Sequence, residues 1–144
     1  MATTEGIGGF LSVSAAAPAT YDATGYAALT WTEIGELGEV PDHGPAHATV
    51  TFTRLKDGIV NKYHGELNFG SLAIPMAYDP ADAGQAILKA ARVSKDEISL
   101  RLTRSDGSVE YTSGKVMSFT NAVSVGAVVG ATSQVELTRE TVDA

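Results

Sequence analysis

The residues best suited to chemistry lie close together at Asp42-His43-Gly44-Pro45-Ala46-His47. Two imidazoles and a carboxylate at this spacing are zinc-type ligands in principle. A His-x₃-His pair is normally presented by a helix, however, and Gly44-Pro45 forbids a helix between these two. This argues for a solvated polar loop and against a metal site, of which His43 and His47 would be the candidate ligands. The carboxylates Glu33, Glu36 and Glu39, and the pair Asp96-Glu97, have the type needed for acid–base work, but a polar loop and a solvated charged turn account for them better. No Gly-x-Ser-x-Gly occurs, so no serine sits on a strand–turn–helix elbow. Gly6-Ile-Gly-Gly9 and Gly126-Ala-Val-Val-Gly130 do not join a strand to a helix, so phosphate binding is not expected of them. Trp31 with Tyr21 and Tyr26 could stack on a sugar, although a strand aromatic more often packs a core. The expectation is a protein that is not an enzyme and carries no cofactor.

Composition narrows the alternatives. The chain has 144 residues, 44% hydrophobic and 19% charged, enough to bury one core and too apolar to stay disordered. It contains no cysteine, which removes disulfides, thiolate metal sites and a cysteine nucleophile. The net charge is −7, and residues 1–80 hold three cations against nine anions, while residues 81–144 hold seven against eight. A surface that grips nucleic acid needs clustered Lys and Arg, so tight DNA binding is not expected. An acidic wall facing DNA without holding it is compatible with this balance. Neither a signal peptide nor a membrane-spanning run is legible.

Positioning elements follow from the patterning. Residues 1–27 read as a small-residue arm and a first strand, Phe10 to Ala17, with Leu11 and Val13 inward. Thr20 to Gly25 reads as a turn, and Ala28 to Ile34 as a strand around Leu29 and Trp31. Three glycines and two prolines between Gly35 and His47 mark a long loop. Thr49 to Arg54 alternates like a half-buried strand, Lys56-Asp57-Gly58 interrupts it, and Ile59 to His64 continues as an extended or looping segment. Gly65 to Leu88 is the most informative unit: an alternating strand whose parity changes at Gly70-Ser71, implying a bulge or bend, followed by a helix over about 80–92. Asp79 is the expected cap and Pro80 the first helical residue, with Asp82 favouring the positive end. Ile87, Ala90 and Ala91 are the expected apolar stripe, with Ala83 one turn earlier. Glu97 to Arg104 alternates strictly, Ser105-Asp-Gly-Ser108 is a hairpin turn, Val109 to Phe119 returns antiparallel, and Val128 to Thr138 is the last strand. A polar tail occupies 139–144. The expected fold is mainly β, an antiparallel sandwich or partly closed barrel with one short α-helix, a long inter-strand loop, and a principal domain over 28–138.

The order of these pieces, Asp57-Gly58 and then Gly65-Glu-Leu-Asn-Phe-Gly-Ser-Leu-Ala-Ile-Pro-Met-Ala-Tyr-Asp-Pro-Ala-Asp-Ala-Gly-Gln-Ala-Ile-Leu88, resembles the major tail tube proteins of long, non-contractile-tailed bacteriophages. The resemblance runs over roughly residues 28–140. It implies a sandwich that forms homohexameric rings, stacked into a hollow tube through which DNA passes without tight binding. The loop after the Trp31 strand, with the Lys56–His64 segment, would reach the neighbouring ring. That places subunit and ring-stacking contacts at Glu36, Val40, Pro41, Asp42, His43, His47, Lys56, Asp57, Gly58, Lys62 and Tyr63. Glu33, Glu36 and Glu39 are the candidates for the lumen. Implied partners are a tape measure protein, a tail terminator and a distal-tail or initiator protein, with no membrane; the implied location is the virion tail, assembled in the host bacterial cytoplasm. Another ring-forming or decoration component of a virion, or a sandwich-type binding module, are the alternatives.

Overall fold

The computed structural model describes residues 8–41, 43–123, 125–126 and 129–143. The chain order is β1 (Phe10–Ser14), α1 (Ala23–Ala27), β2 (Thr32–Glu33), β3 (Ala46–Thr53), β4 (Val60–Asn68), β5 (Ser71–Ala77), α2 (Ala83–Ser94), β6 (Glu97–Thr103), β7 (Val109–Ala122), β8 (Gly130–Leu137) and β9 (Val142–Asp143). Seven strands form one antiparallel sheet in the order β2-β1-β6-β7-β8-β5, with β9 added beside the start of β7. Strands β3 and β4 make a separate two-stranded sheet.

The main sheet is a barrel left partly open, and chain connectivity explains the opening. Immediately after β2 pairs with β1 at one edge, the chain crosses to the opposite edge. There Leu37 bridges Met76, Gly38 N–H donates to Pro75 O, and Ala77 N–H donates to Glu36 O. Helix α2 packs chiefly against β7 and also reaches β1 and β2. Leu88 and Ala91 are buried against Leu11, Val13, Ile34, Leu72, Ile74, Ile98, Leu100 and Val135. Each such fully buried aliphatic side chain contributes about 1.5–3 kcal/mol.

The helix begins later than its sequence suggests. Asp82, not Asp79, is the N-cap, with Oδ2 accepting from Gln85 N–H at 2.9 Å and from Gly35 N–H at 3.2 Å. Pro80 belongs to a turn before the helix, in which Asp79 Oδ1 accepts from Ala81 N–H. The stripe is correspondingly shifted: Gly84, Gln85, Leu88 and Ala91 are buried, Ile87 is half-buried and Ala90 is exposed. A Cβ on Gly84 would stand 2.5 Å from Glu33 O and 2.7 Å from the Ile34 Cα, so glycine lets the helix press onto the crossing segment. Buried Gln85 fastens the corner, donating to Ala77 O and Gly35 O and accepting from Asp79 N–H.

Residues 15–31 correct a second expectation. Where Thr20–Gly25 reads as a turn, the chain forms the short helix α1, capped by Asp22 and laid on the outer face of the sheet, and the strand expected over Ala28–Ile34 shortens to Thr32–Glu33. Tyr26 is completely buried there, stacked on Tyr111 at 5.2 Å, with its hydroxyl 2.8 Å from Ser113 Oγ. Trp31 is half-buried, not core: it tilts over Tyr111, donates Nε1–H to Tyr26 O, and carries the Arg101 guanidinium on its ring. Ser14, Ser99 and Ser113 stand abreast beneath this cover and are buried. Ser99 donates to Ala16 O and Ser113 shares the Tyr26 hydrogen bond, which offsets their desolvation. Strict alternation in β6 therefore fills two interiors, Ile98 and Leu100 on one side and Ser99 on the other.

Candidate assembly surface

The parity change at Gly70-Ser71 is a hand-over between sheets, larger than a bulge within one strand. Gly70 takes φ +89°, which only glycine adopts freely, and a Cβ there would meet Gly44 O at 2.6 Å. Beyond it β4 leaves the main sheet and pairs only with β3. The turn between them has Gly58 at φ +68°; Arg54 pairs with Asp57, whose Oδ1 accepts Ile59 N–H, and Gly58 N–H donates to Arg54 O.

This hairpin is not half-buried, as alternation in Thr49–Arg54 suggests: every residue of β3 is exposed. Register defines its faces. Val50 opposes Tyr63 and Phe52 opposes Asn61, while Thr49, Thr51 and Thr53 oppose His64, Lys62 and Val60 on the reverse side. The first face leaves Val50 51%, Phe52 62% and Tyr63 57% exposed. Gly65 lets the strands close there, since a Cβ would meet Ala48 O and Val50 Cγ2, each at 2.9 Å. A solitary two-stranded hairpin is at best marginally stable in water, so this apolar face calls for a cover.

The anticipated contact residues separate into three places. His47, Lys62 and Tyr63 lie on the hairpin strands, and Lys56, Asp57 and Gly58 at its turn. His47 stands edge-on to His64 with ring centroids 5.0 Å apart. Glu36, Val40, Pro41 and His43 belong to the segment leading to β3; Asp42 lies outside the described residues. His43 is tied to the sheet, with Nε2 2.7 Å from Glu110 Oε1 and Nδ1 3.0 Å from Pro41 O, while Arg104 holds the other Glu110 oxygen at 2.6 Å. His43 and His47 thus have different partners, and no three metal-ligating side chains converge among the described residues. Glu33, Glu36 and Glu39 are all exposed along the crossing segment. Glu36 takes φ +58° as its carbonyl turns to β5.

Sequence reasoning missed Val50, Phe52 and Leu67 as surface groups. Alternation marks a strand with one apolar face, and it carries no information on whether the same chain supplies the cover.

A family model described as phage tail tube protein matches residues 12–141. Among solved structures, the SPP1 tail tube aligns with TM-score 0.68 at 12% identity, over 96% of this chain and 77% of that one. The sheath–tube complex of an extracellular contractile injection system, PVC, aligns with TM-score 0.66 at 13% identity, over 99% and 93%. The PVC sheath/tube terminator aligns with TM-score 0.67 at 12% identity, over 100% and 98%. At these identities the likeness is one of fold. No curated protein matches in sequence.

Proposed function

Since the chain belongs to the phage tail tube protein family, and is thereby a structural, tube-forming component of a virion, we propose that its copies close into hexameric rings that stack into the hollow tube of a long non-contractile tail. DNA passes through this tube without being held. The observation that carries the reading is the β3–β4 hairpin, fully extended from the body with Val50, Phe52 and Tyr63 uncovered. Copies of the chain supply what the isolated subunit lacks: neighbouring strands for its backbone and apolar surface for its side chains.

In this assembly the hairpin, the Glu36–His43 segment and the Lys56–Gly58 turn make the contacts between subunits and rings. His43, fastened to Glu110, holds the base of the hairpin at a set angle to the sheet. Exposed Glu33, Glu36 and Glu39 face the passage, where like charge lowers the affinity of DNA for the wall. The tube is measured by a tape measure protein, started on a distal-tail initiator and closed by a terminator, and it is built in the cytoplasm of the host bacterium.

Negative-stain electron microscopy of the purified chain, at rising concentration and with seeds of sheared tubes, tests this. Hollow tubes with six-fold end-on views are expected. A monodisperse monomer under every condition, seeded or not, overturns it.

A further inference from the structure

Of the three histidines, His47 and His64 are exposed on the hairpin, while the side chain of His43 is only 11% exposed. Both of its ring nitrogens meet an oxygen: Nε2 lies 2.7 Å from Glu110 Oε1 and Nδ1 lies 3.0 Å from Pro41 O. A backbone carbonyl can only accept. Glu110, whose other oxygen accepts from Arg104 at 2.6 Å, is an ion-paired carboxylate and accepts as well. Both nitrogens must then donate, which only the imidazolium does. A neutral ring has a single N–H and serves one oxygen.

Register places this contact at the mouth of the interior. Glu110 opposes Leu102, on the face that carries buried Leu100 and Thr112 one pair further in. The charged groups of the elements around it are Glu110 on β7, Asp143 opposite it on β9, and Arg104 and Asp106 between β6 and β7. Toward the hand-over between β4 and β5, His43 shares a cleft with Gly44, Pro45, Gly70 and Ser71, which bring no charge. With His43 11% and Glu110 12% exposed, water screens this pair far less than a surface pair. What the contact holds is the entry to the hairpin. Gly44 follows at φ +140° with open space around it, and β3 begins at Ala46.

We propose that His43 is a proton-operated latch on the hairpin. Carrying its proton, it fastens the segment before β3 to the main sheet through Glu110. As pH rises through the range in which imidazole gives up its proton, between about 5 and 8, the ion pair and one of the two hydrogen bonds are lost. The fastening is complete at the acidic end of that range and absent at the alkaline end, where the chain turns freely about Gly44. Its consequence for assembly rests on the tube reading above: a subunit with a loose hairpin base has more to order on joining, and so grows at higher concentration.

The free subunit tests the latch without tubes. In nitrogen-15 spectra of the wild-type imidazoles at about pH 6, both ring N–H protons of His43 should be seen directly, being hydrogen-bonded and shielded, whereas those of exposed His47 and His64 exchange away. Amide protection factors over Ala46–Thr49 should fall about fivefold between about pH 6 and pH 8.5, the weight of one net hydrogen bond. The fall should shrink below about twofold in His43→Gln and persist in His47→Gln/His64→Gln. A His43 ring with a single N–H at the lower pH, or an equal fall in wild type and His43→Gln, overturns the latch. The ring spectrum needs no variant and decides the matter should His43→Gln not fold. In tubes, the growth threshold of the wild type should rise about fivefold over the same range, and an equal threshold at both ends overturns the consequence for assembly. Failure of the wild-type chain to form tubes under any condition overturns the tube reading and leaves the latch to the free-subunit result.

Discussion

Phe52→Ala separates folding from assembly more sharply than any other single change. Phe52 is 62% exposed on a hairpin that adds nothing to the main core. If contact with another copy covers it, about 125 Å² of a side chain that buries ~200 Å² leaves water, worth ~3 kcal/mol at about 25 cal/mol per Å². Alanine retains part of that surface, so the loss is about 2 kcal/mol for each contact, or roughly a 30-fold rise in the concentration needed for growth. The assay is the amount of protein left in the supernatant after tubes are pelleted, measured across a concentration series. Thermal unfolding of the unassembled chain is followed in parallel, and its midpoint should shift by less than about 1 °C, because an exposed residue in no core cluster contributes little to the monomer. An unchanged growth threshold would refute burial of this face on assembly. A midpoint several degrees lower would refute the claim that the hairpin stands apart from the folded body.

The remaining expectations concern the turn, the corner under α2 and one phenol. Gly58→Ala, at φ +68° with open space around it, strains the hairpin turn by about 1–2 kcal/mol and should raise the growth threshold while leaving the unfolding midpoint of the body nearly unchanged; Pro41 substitutions should act in the same direction. Asp82→Ala removes the cap of α2 and its bond to Gly35, lowering stability to urea by about 1–2 kcal/mol. Gly84→Ala gains up to ~1 kcal/mol in helix propensity, yet its Cβ meets backbone at 2.5 Å. It should therefore destabilise by about 1–3 kcal/mol net, and an increase in stability would refute the close approach. The Tyr21 phenol is held above its ordinary value, chiefly by donating a hydrogen bond to Glu97. A raised phenol value means that the folded chain retains a proton the unfolded chain releases. The associated stability is complete below about pH 10 and is lost as pH rises through the raised value. Wild type should consequently lose more of its unfolding midpoint than Tyr21→Phe as pH climbs past about 10.

Much of the architecture was legible because short-range chemistry dictates it. Leu11 and Val13 pointed inward in β1, Ile98 and Leu100 marked β6, and Gly107 marked the hairpin turn into β7, where it takes φ +90°. These are period-two patterns and turn geometries that need no distant partner. Boundaries of α2 were harder, since Asp79 and Asp82 are both competent caps. The choice fell to Asp82 because Gly35, far away in sequence, brings a second N–H to its carboxylate. The same limit hid α1: Thr20–Ala27 has turn chemistry, and becomes helical with Asp22 as its cap while Tyr26 finds Tyr111 and Ser113 beneath it.

The candidate site divides in the same way. The amino-acid order by itself determined a cysteine-free, acidic, mainly β chain, a strand interrupted at Gly70, and a breaker-rich stretch before β3, all of them properties of local backbone freedom and side-chain charge. Only the tertiary structure decided that β3 and β4 leave the main sheet, that Val50, Phe52 and Tyr63 face water, and that β7 outruns β6 at the far end. An apolar residue in an alternating strand is compatible with any partner surface. Which surface covers it depends on where the rest of the chain has already been used, and here α2 covers the aliphatic interior while α1 covers the opposite face of the sheet.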